Sequence, residues 1–464
     1  MTTIVAGRNQ EPAFTIALLN WSAVLEDFLE PLGVSLEDFC RAFTGSWLFG
    51  YAAALETAGV RSVIICTSKG VEEPTSFTHG PTGARIWILP RPRVYGAVHR
   101  RMVYAYGQTV REAFGEIRGR RRLLLPFYAI VRELALYLAT PLSSLAQVLR
   151  REGCRAILCQ EYEYPRFDMC VLLGKAMRLP VFACFQGGNY QHSHLERALR
   201  PIAMRLCAGL IVGAASEARR VRERYGVPTR KLARIFNPID SDVWRPVDRR
   251  EARTALAIPP NAEVVVWHGR VALHKKGLDV LLDAWKRTCR VRPDRDLRLL
   301  LIGTGDDAEE LRRRLASFRS NQVSWLDVFL HDRELVRRHL SAADVYAFAS
   351  RYEGFPVAPL EAMACGLPLV ATNVEGIRDI LADGEASGGL VVPGDDAVAL
   401  ASEIGHLLDQ PEWRRELGSR ARRTIETRFS LEATGEKLRV FLATAATAPT
   451  SPEPPPAGTG VPPR

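Results

Sequence analysis

Short apolar runs recur along the chain, and most are followed by stretches of helical period. Residues 14–19, 62–66, 156–159, 180–184, 210–212, 264–267, 297–302, 345–349 and 369–371 read as strands. Each is near-continuously apolar rather than alternating, as expected of parallel strands covered on both faces. After Gly277, Leu278, Leu281, Leu282 and Trp285 fall at i, i+3, i+4 and i+7, one face of a helix. The alternation predicts an α/β architecture with parallel sheets. It breaks near Asn237-Pro238, ahead of the polar stretch 245–261, into two units of Rossmann-like size, 13–237 and 238–430. A separate helix is expected over 431–443. The first 12 residues read as a flexible N-terminus. The Pro-rich stretch 444–464 reads as a disordered tail, because it has too little apolar surface to bury. No period of 20–50 residues repeats, which excludes solenoids and propellers.

Composition changes this picture in one respect. At 464 residues, 47% hydrophobic and 25% charged, the chain is ordinary for a globular protein, but its net charge is +10. Ten arginines lie between Arg85 and Arg122, opposed by Glu112 and Glu116 alone, so this segment holds +8 and the rest of the chain is nearly neutral. A basic segment raises nucleic acid, an anionic membrane surface or an anionic substrate as partners. No recognised nucleic-acid motif accompanies it, so no nucleic acid is expected. A membrane surface suits Arg100, Arg101, Tyr104, Tyr106, Phe114 and 118–128 better, and a solvated pair of arginine-rich helices is the plainer alternative. Nine scattered cysteines without a C-x-x-C indicate a reducing compartment and no zinc site. No signal peptide is apparent, and no apolar run reaches the ~18 residues of a membrane span. The expected location is cytoplasmic, free or peripheral on the inner face of a membrane.

Sites in such folds lie at the carboxyl ends of strands. The first candidate there is the run from Tyr352 to Glu361. Glu353 and Glu361 can accept hydrogen bonds from sugar hydroxyls, and Gly354 permits close backbone approach. The helix start that follows Phe355, Pro356 and Val357 offers free N–H groups to a diphosphate. Two surface glutamates at a helix start would look the same. The second is 267–277, where Arg270 and Lys276 flank a turn and could neutralise one departing anion, or simply be solvated. Gly303 and Gly305 form a G-x-G turn that could wall a nucleotide cleft. On the N-terminal side, Gly45 lies in a Thr-Gly-Ser turn before a helical stretch. Glu161, Gln186, Gly187 and Asn189 stand at strand ends suited to an acceptor pocket. His192 and His194 lack the spacing of a zincin pair, and no metal is expected. No nucleophile elbow or Walker A loop occurs.

Taken in order, HGRVALHKKGLDVLLDAW, LLLIGTGDD, EGFPVAPLEAMACGLPLVAT and VVPGDDAVALASEI resemble the retaining glycosyltransferases of family 4. The resemblance covers roughly 200 residues of the C-terminal half. It implies a GT-B fold, two Rossmann-like domains facing each other across a cleft. It further implies a nucleotide-diphosphate sugar donor, a carbohydrate or lipid-linked acceptor, net retention, and no metal or other cofactor. By motif, Glu353 would contact the donor sugar, Glu361 the ribose, Arg270 and Lys276 the leaving diphosphate, and the backbone near Phe355 the phosphate or sugar. The sequence departs from the family at two places. Gln186 stands where many members have a histidine, and the glycine-rich N-terminal loop is reduced to Gly45, after an acidic stretch (Glu26, Asp27, Glu30, Glu37, Asp38). A GT-B epimerase or phosphorylase, and a membrane-surface binding module, are the alternatives.

Overall fold

A computed structural model of the chain describes residues 13–44, 47–185, 193–318, 322–328 and 332–446. Two sheets organise it. The first contains β1 (Thr15–Leu19), β2 (Arg61–Ser68), β3 (Thr75–Thr78), β4 (Arg85–Pro90), β5 (Cys154–Cys159), β6 (Val181–Phe185), β7 (Gly209–Val212) and β8 (Leu232–Arg234). Their order is β3-β4-β2-β1-β5-β6-β7-β8, parallel except for the β3–β4 pair. The second contains β9 (Glu263–His268), β10 (Leu297–Ile302), β11 (Val323–Leu326), β12 (Val345–Phe348), β13 (Leu369–Thr372) and β14 (Gly389–Val392), in the order β11-β10-β9-β12-β13-β14 and parallel throughout. The expected apolar runs all fall on these strands, and the central ones are buried on both faces.

Helices cover both faces of each sheet. The Leu278–Arg290 helix buries Leu278, Leu281, Leu282 and Trp285, the four positions its period singles out. The chain crosses between the sheets after β8 and returns at Phe429, where Ile239 N donates to Phe429 O at 2.7 Å. The Leu431–Ala446 helix then packs on the Trp47–Thr57 helix of the first domain, burying Leu438 and Leu442 in that domain's core. This helix continues three residues past the expected boundary at 443, as its Ala-rich end allows. Residues 1–12 and 447–464 lie outside the described residues.

The basic segment is not one element. It begins in β4, whose Arg85 faces Glu152, and continues through the Arg93–His99 helix, the Val110–Phe114 helix and a 3-10 turn at Gly119–Leu124. The acidic stretch also has a structural use. Glu26 accepts from the backbone N–H of Lys69 at 3.1 Å and of Gly70 at 3.2 Å, closing the turn after β2.

Candidate functional site

The loops after β9, β10 and β12 meet at the carboxyl edge of the second sheet. They approach at backbone distance, which explains their glycines. Gly269 N donates to Ile302 O at 3.0 Å and Val271 N to Thr304 O at 2.9 Å. A Cβ at Gly303 would overlap Gly269 O, and one at Gly305 would overlap Val271 O. Gly277, at φ +60°, lies so close to Ala349 O that only glycine fits. These residues therefore set the spacing of the walls through backbone packing.

Two pairs occupy the floor. Lys276 Nζ donates to Glu353 Oε1 at 2.6 Å, and Ser350, fully buried, donates to the same oxygen at 2.8 Å. Glu361 Oε2 meets His268 Nε2 at 2.7 Å, beside the buried ring of Tyr346. Burial pushes the Tyr346 phenol far above its ordinary range, and the charges of Glu361 and Glu353 add to this. Arg270 is exposed and pairs with Asp306. The loop carrying Lys276 is braced from below. Arg351 donates to both Asp279 carboxylate oxygens at 2.8 Å and to His274 O at 2.7 Å. The Phe355 ring stacks on Phe236 at 4.6 Å, a contact between the two domains. Val357 is exposed at the start of the Ala358–Ala364 helix, and Pro356 is buried against Gly376.

Across from this floor, Arg333 Nη2 donates to Thr44 O at 2.7 Å, bridging the domains next to Gly45. Burial lowers its pKa from the ordinary value, opposed by the charges of Glu361 and Asp240. Glu161 follows β5, buried, with a left-handed backbone at φ +54°. That conformation is unusual for a residue with a side chain and re-aims the chain at the strand end. Gly45, Gln186, Gly187, Asn189 and His192 lie outside the described residues.

Residues 262–410 match the family model described as Glycosyl transferases group 1. The C-terminal domain is a group 1 glycosyltransferase domain. The chain is 34% identical over 245 residues to a D-inositol 3-phosphate glycosyltransferase of Geodermatophilus obscurus, covering 51% of this chain and 52% of that protein. It is 32% identical over 204 residues to a GDP-mannose-dependent monoacylated alpha-(1-6)-phosphatidylinositol monomannoside mannosyltransferase of Corynebacterium glutamicum, covering 42% and 51%. The chain thus spans about half the length of the curated relatives it matches. The structure superposes on sucrose-phosphate synthase from Thermosynechococcus elongatus with a TM-score of 0.63 at 20% identity, covering 94% of this chain and 100% of that one. The pair of facing parallel-sheet domains is the GT-B fold.

Within the glycosyltransferase domain, Lys276, Glu353, Glu361, Gly303, Gly305 and Gly354 gather at one sheet edge, with Arg270 at its rim. The phenylalanine in the middle of the motif serves the domain seam through its side chain. Three contributors carried no local signal. His268 sits inside a quoted motif, but its partner is 93 residues away. Arg351 works through Asp279, 72 residues away, and Arg333 through a loop in the other domain.

Proposed function

We propose that the chain transfers a hexosyl unit from a nucleotide-diphosphate sugar to a lipid-linked, polysaccharide or small-molecule acceptor, with retention and without a metal ion. The observation that carries this reading is the double pair Lys276–Glu353 and His268–Glu361 at one strand-end edge. One carboxylate is neutralised by a lysine and the other is held by an imidazole, so both keep fixed positions with lone pairs to spare for hydroxyls. Lys276 and Arg270 supply positive charge where a departing diphosphate gains negative charge. Backbone N–H groups of 354–358 suit phosphate or sugar oxygens.

In this reading the bond from the anomeric carbon to the phosphate oxygen breaks with its electron pair leaving on the diphosphate. The acceptor oxygen bonds the same face, and its proton passes to the departing phosphate oxygen. No protein base is required, which accommodates a sequence with Gln186 where many family members have a histidine.

Glu353→Ala, and Arg270→Ala combined with Lys276→Ala, should each lower turnover by about 10²–10³-fold with the fold retained. A donor panel of UDP-, GDP- and ADP-sugars, scored by slow hydrolysis, supplies the assay without an acceptor. Undiminished hydrolysis in these variants would refute the site, and an epimerised nucleotide sugar in the acceptor-free reaction would favour an epimerase.

A further inference from the structure

The excursion between β4 and β5 carries a surface with no role in holding a donor. Leu123, Phe127, Ile130, Leu134 and Leu138 fall at i, i+4, i+7, i+11 and i+15, one stripe along the Gly119–Leu124 turn, the Leu125–Ala135 helix and the turn beyond it. All five are exposed, from 83% at Leu123 to 41% at Leu138. At the C-terminal end of the segment the opposite side is buried: Ala135, Leu136 and Ala139 pack with Tyr106 and Trp21. The segment therefore presents two apolar faces, one in the protein and one in solvent.

The outward stripe starts where the arginines end. Arg118, Arg121 and Arg122 are exposed just before Leu123, and Arg93, Arg100 and Arg101 are exposed on and after the Arg93–His99 helix, which packs on the same element. Among the described residues, no carboxylate pairs with Arg93, Arg100, Arg121 or Arg122. A cavity of about 470 Å³ opens at the junction, with Arg111, Arg118 and Arg122 on one side and Ile117 and Leu125 on the other. Glu116 holds Arg111 and Arg118 in place there. Charge thus gives way to apolar surface over one helical turn, as phosphate gives way to acyl chain at the edge of a bilayer.

We propose that this face docks in the plane of an anionic bilayer, with the leucine–phenylalanine stripe in the interface and the arginines on lipid phosphates. At 11 residues the central helix is about 16 Å long, too short to cross, and no helix among the described residues is long and apolar enough to span. The charge selects the occupant. A second copy of the chain would set two unpaired arginine clusters against each other, and a nucleic acid would leave Phe127 and Ile130 in water. The excursion also sits at the carboxyl edge of the first sheet. Its Tyr106 packs on Trp21, just after β1, and on Tyr164, just after β5. Docking therefore holds the mouth of the cleft at the lipid surface. That last consequence rests on the transfer reading above; the docking itself does not.

The test is co-sedimentation of the full chain with vesicles of phosphatidylcholine alone or mixed equally with phosphatidylglycerol. Binding should favour the anionic vesicles by about tenfold or more and weaken as salt is raised. Phe127→Asp with Ile130→Asp, and separately Arg121→Glu with Arg122→Glu, should each abolish it. These side chains are exposed and none belongs to the donor floor, so melting temperature and donor hydrolysis should stay as in the parent. Equal binding to both vesicle types, or binding that survives either double variant, overturns the proposal. So does self-association in the absence of lipid that Phe127→Asp with Ile130→Asp removes while no vesicle binding is seen. Loss of donor hydrolysis in the parent would count against the transferase reading and leave the docking result intact.

Discussion

The two domains deploy their charged residues differently. In the glycosyltransferase domain, many cations are matched by carboxylates, Arg333 being an exception among the described residues. Asp344, buried at the lower edge of the sheet, receives Arg253 at 2.9 Å, Arg414 at 3.0 Å and Arg249. Arg292 meets Asp409 at 2.5 Å, and Arg351 grips Asp279. Even Lys276 and Arg270 have carboxylates in place. The first domain matches its buried charge in the same way. Arg200, fully buried, binds Asp168 at 2.7 and 3.0 Å, and Tyr137 completes that carboxylate at 2.8 Å. On the surface it does not: the arginines of the β4–β5 excursion outnumber their acids by seven over 91–122. Matched charge builds structure, and unmatched charge marks where another molecule supplies the anion. In the cleft the contrast is subtler, since the diphosphate of the proposed donor would compete with Glu353 and Asp306 for cations already engaged.

The sharpest way to break this contrast is to unmatch a buried cluster. Asp344→Ala leaves Arg253 and Arg414 without their anion in an interior that also holds the N–H of Val264, which donates to Asp344 at 2.8 Å. The expected loss is about 3–5 kcal/mol in chemical denaturation. Removing Glu309, whose pair with Arg312 is exposed, should cost less than about 1 kcal/mol. Equal losses would show that the buried cluster is no more than a surface pair.

A second test separates holding the donor from positioning the cation. Arg351 touches no reacting group in the proposed mechanism; it fixes the loop from His274 to Gly277 through two oxygens of Asp279 and one of His274. Arg351→Ala should lower turnover by about 10- to 100-fold, because a displaced Lys276 no longer meets the leaving group. Arg351→Lys should not restore it, since an ammonium cannot reproduce the planar two-point grip. Full recovery with lysine would show that charge alone is needed. The measurement is kcat against donor KM across the three proteins, with thermal melting to check that the fold holds.

How much of this was legible in the sequence follows from the same physics. Central parallel strands announce themselves because both faces are buried, so β1, β9, β10 and β12 stand out as apolar runs. Edge strands do not: β3 reads Thr-Ser-Phe-Thr and is mostly exposed, and β11 is half-buried. The strand-end motifs were legible because each is local, a turn followed by a helix. Pairings such as Asp344 with Arg253, 91 residues apart, cannot be read from spacing. The basic segment was visible as charge, but its first arginine, Arg85, belongs to a core strand. Its exposed stripe appears only when the Leu125–Ala135 helix is seen to leave Phe127, Ile130 and Leu134 in water.

The smallest expected effect lies where the domains meet. His79 is fully buried, stacked on Phe49 at 4.0 Å. Its Nε2 faces Phe43 O at 3.0 Å, an acceptor only, so Nε2 carries the hydrogen; Nδ1, 2.8 Å from the Thr82 hydroxyl, is left to accept. Burial holds the pKa below the ordinary histidine value, the Phe43 carbonyl opposes this, and the positive charge of Arg333 across the seam lowers it further. The sign follows directly. Between the two pKa values the unfolded chain binds a proton that the folded chain refuses. The contribution of His79 to stability is therefore complete above about pH 6.5 and is lost as pH falls from there through the lower, folded-state value. His99 and His339 are pushed the same way by burial, so the readout is a difference between variants. His79→Gln should flatten part of the decline in melting temperature below pH 6.5, and Arg333→Gln should flatten less of it, by letting the His79 pKa rise toward its ordinary value. If Arg333→Gln steepens the decline instead, the unpaired arginine is not acting on the first domain through its charge, and its part in the seam is the Thr44 hydrogen bond.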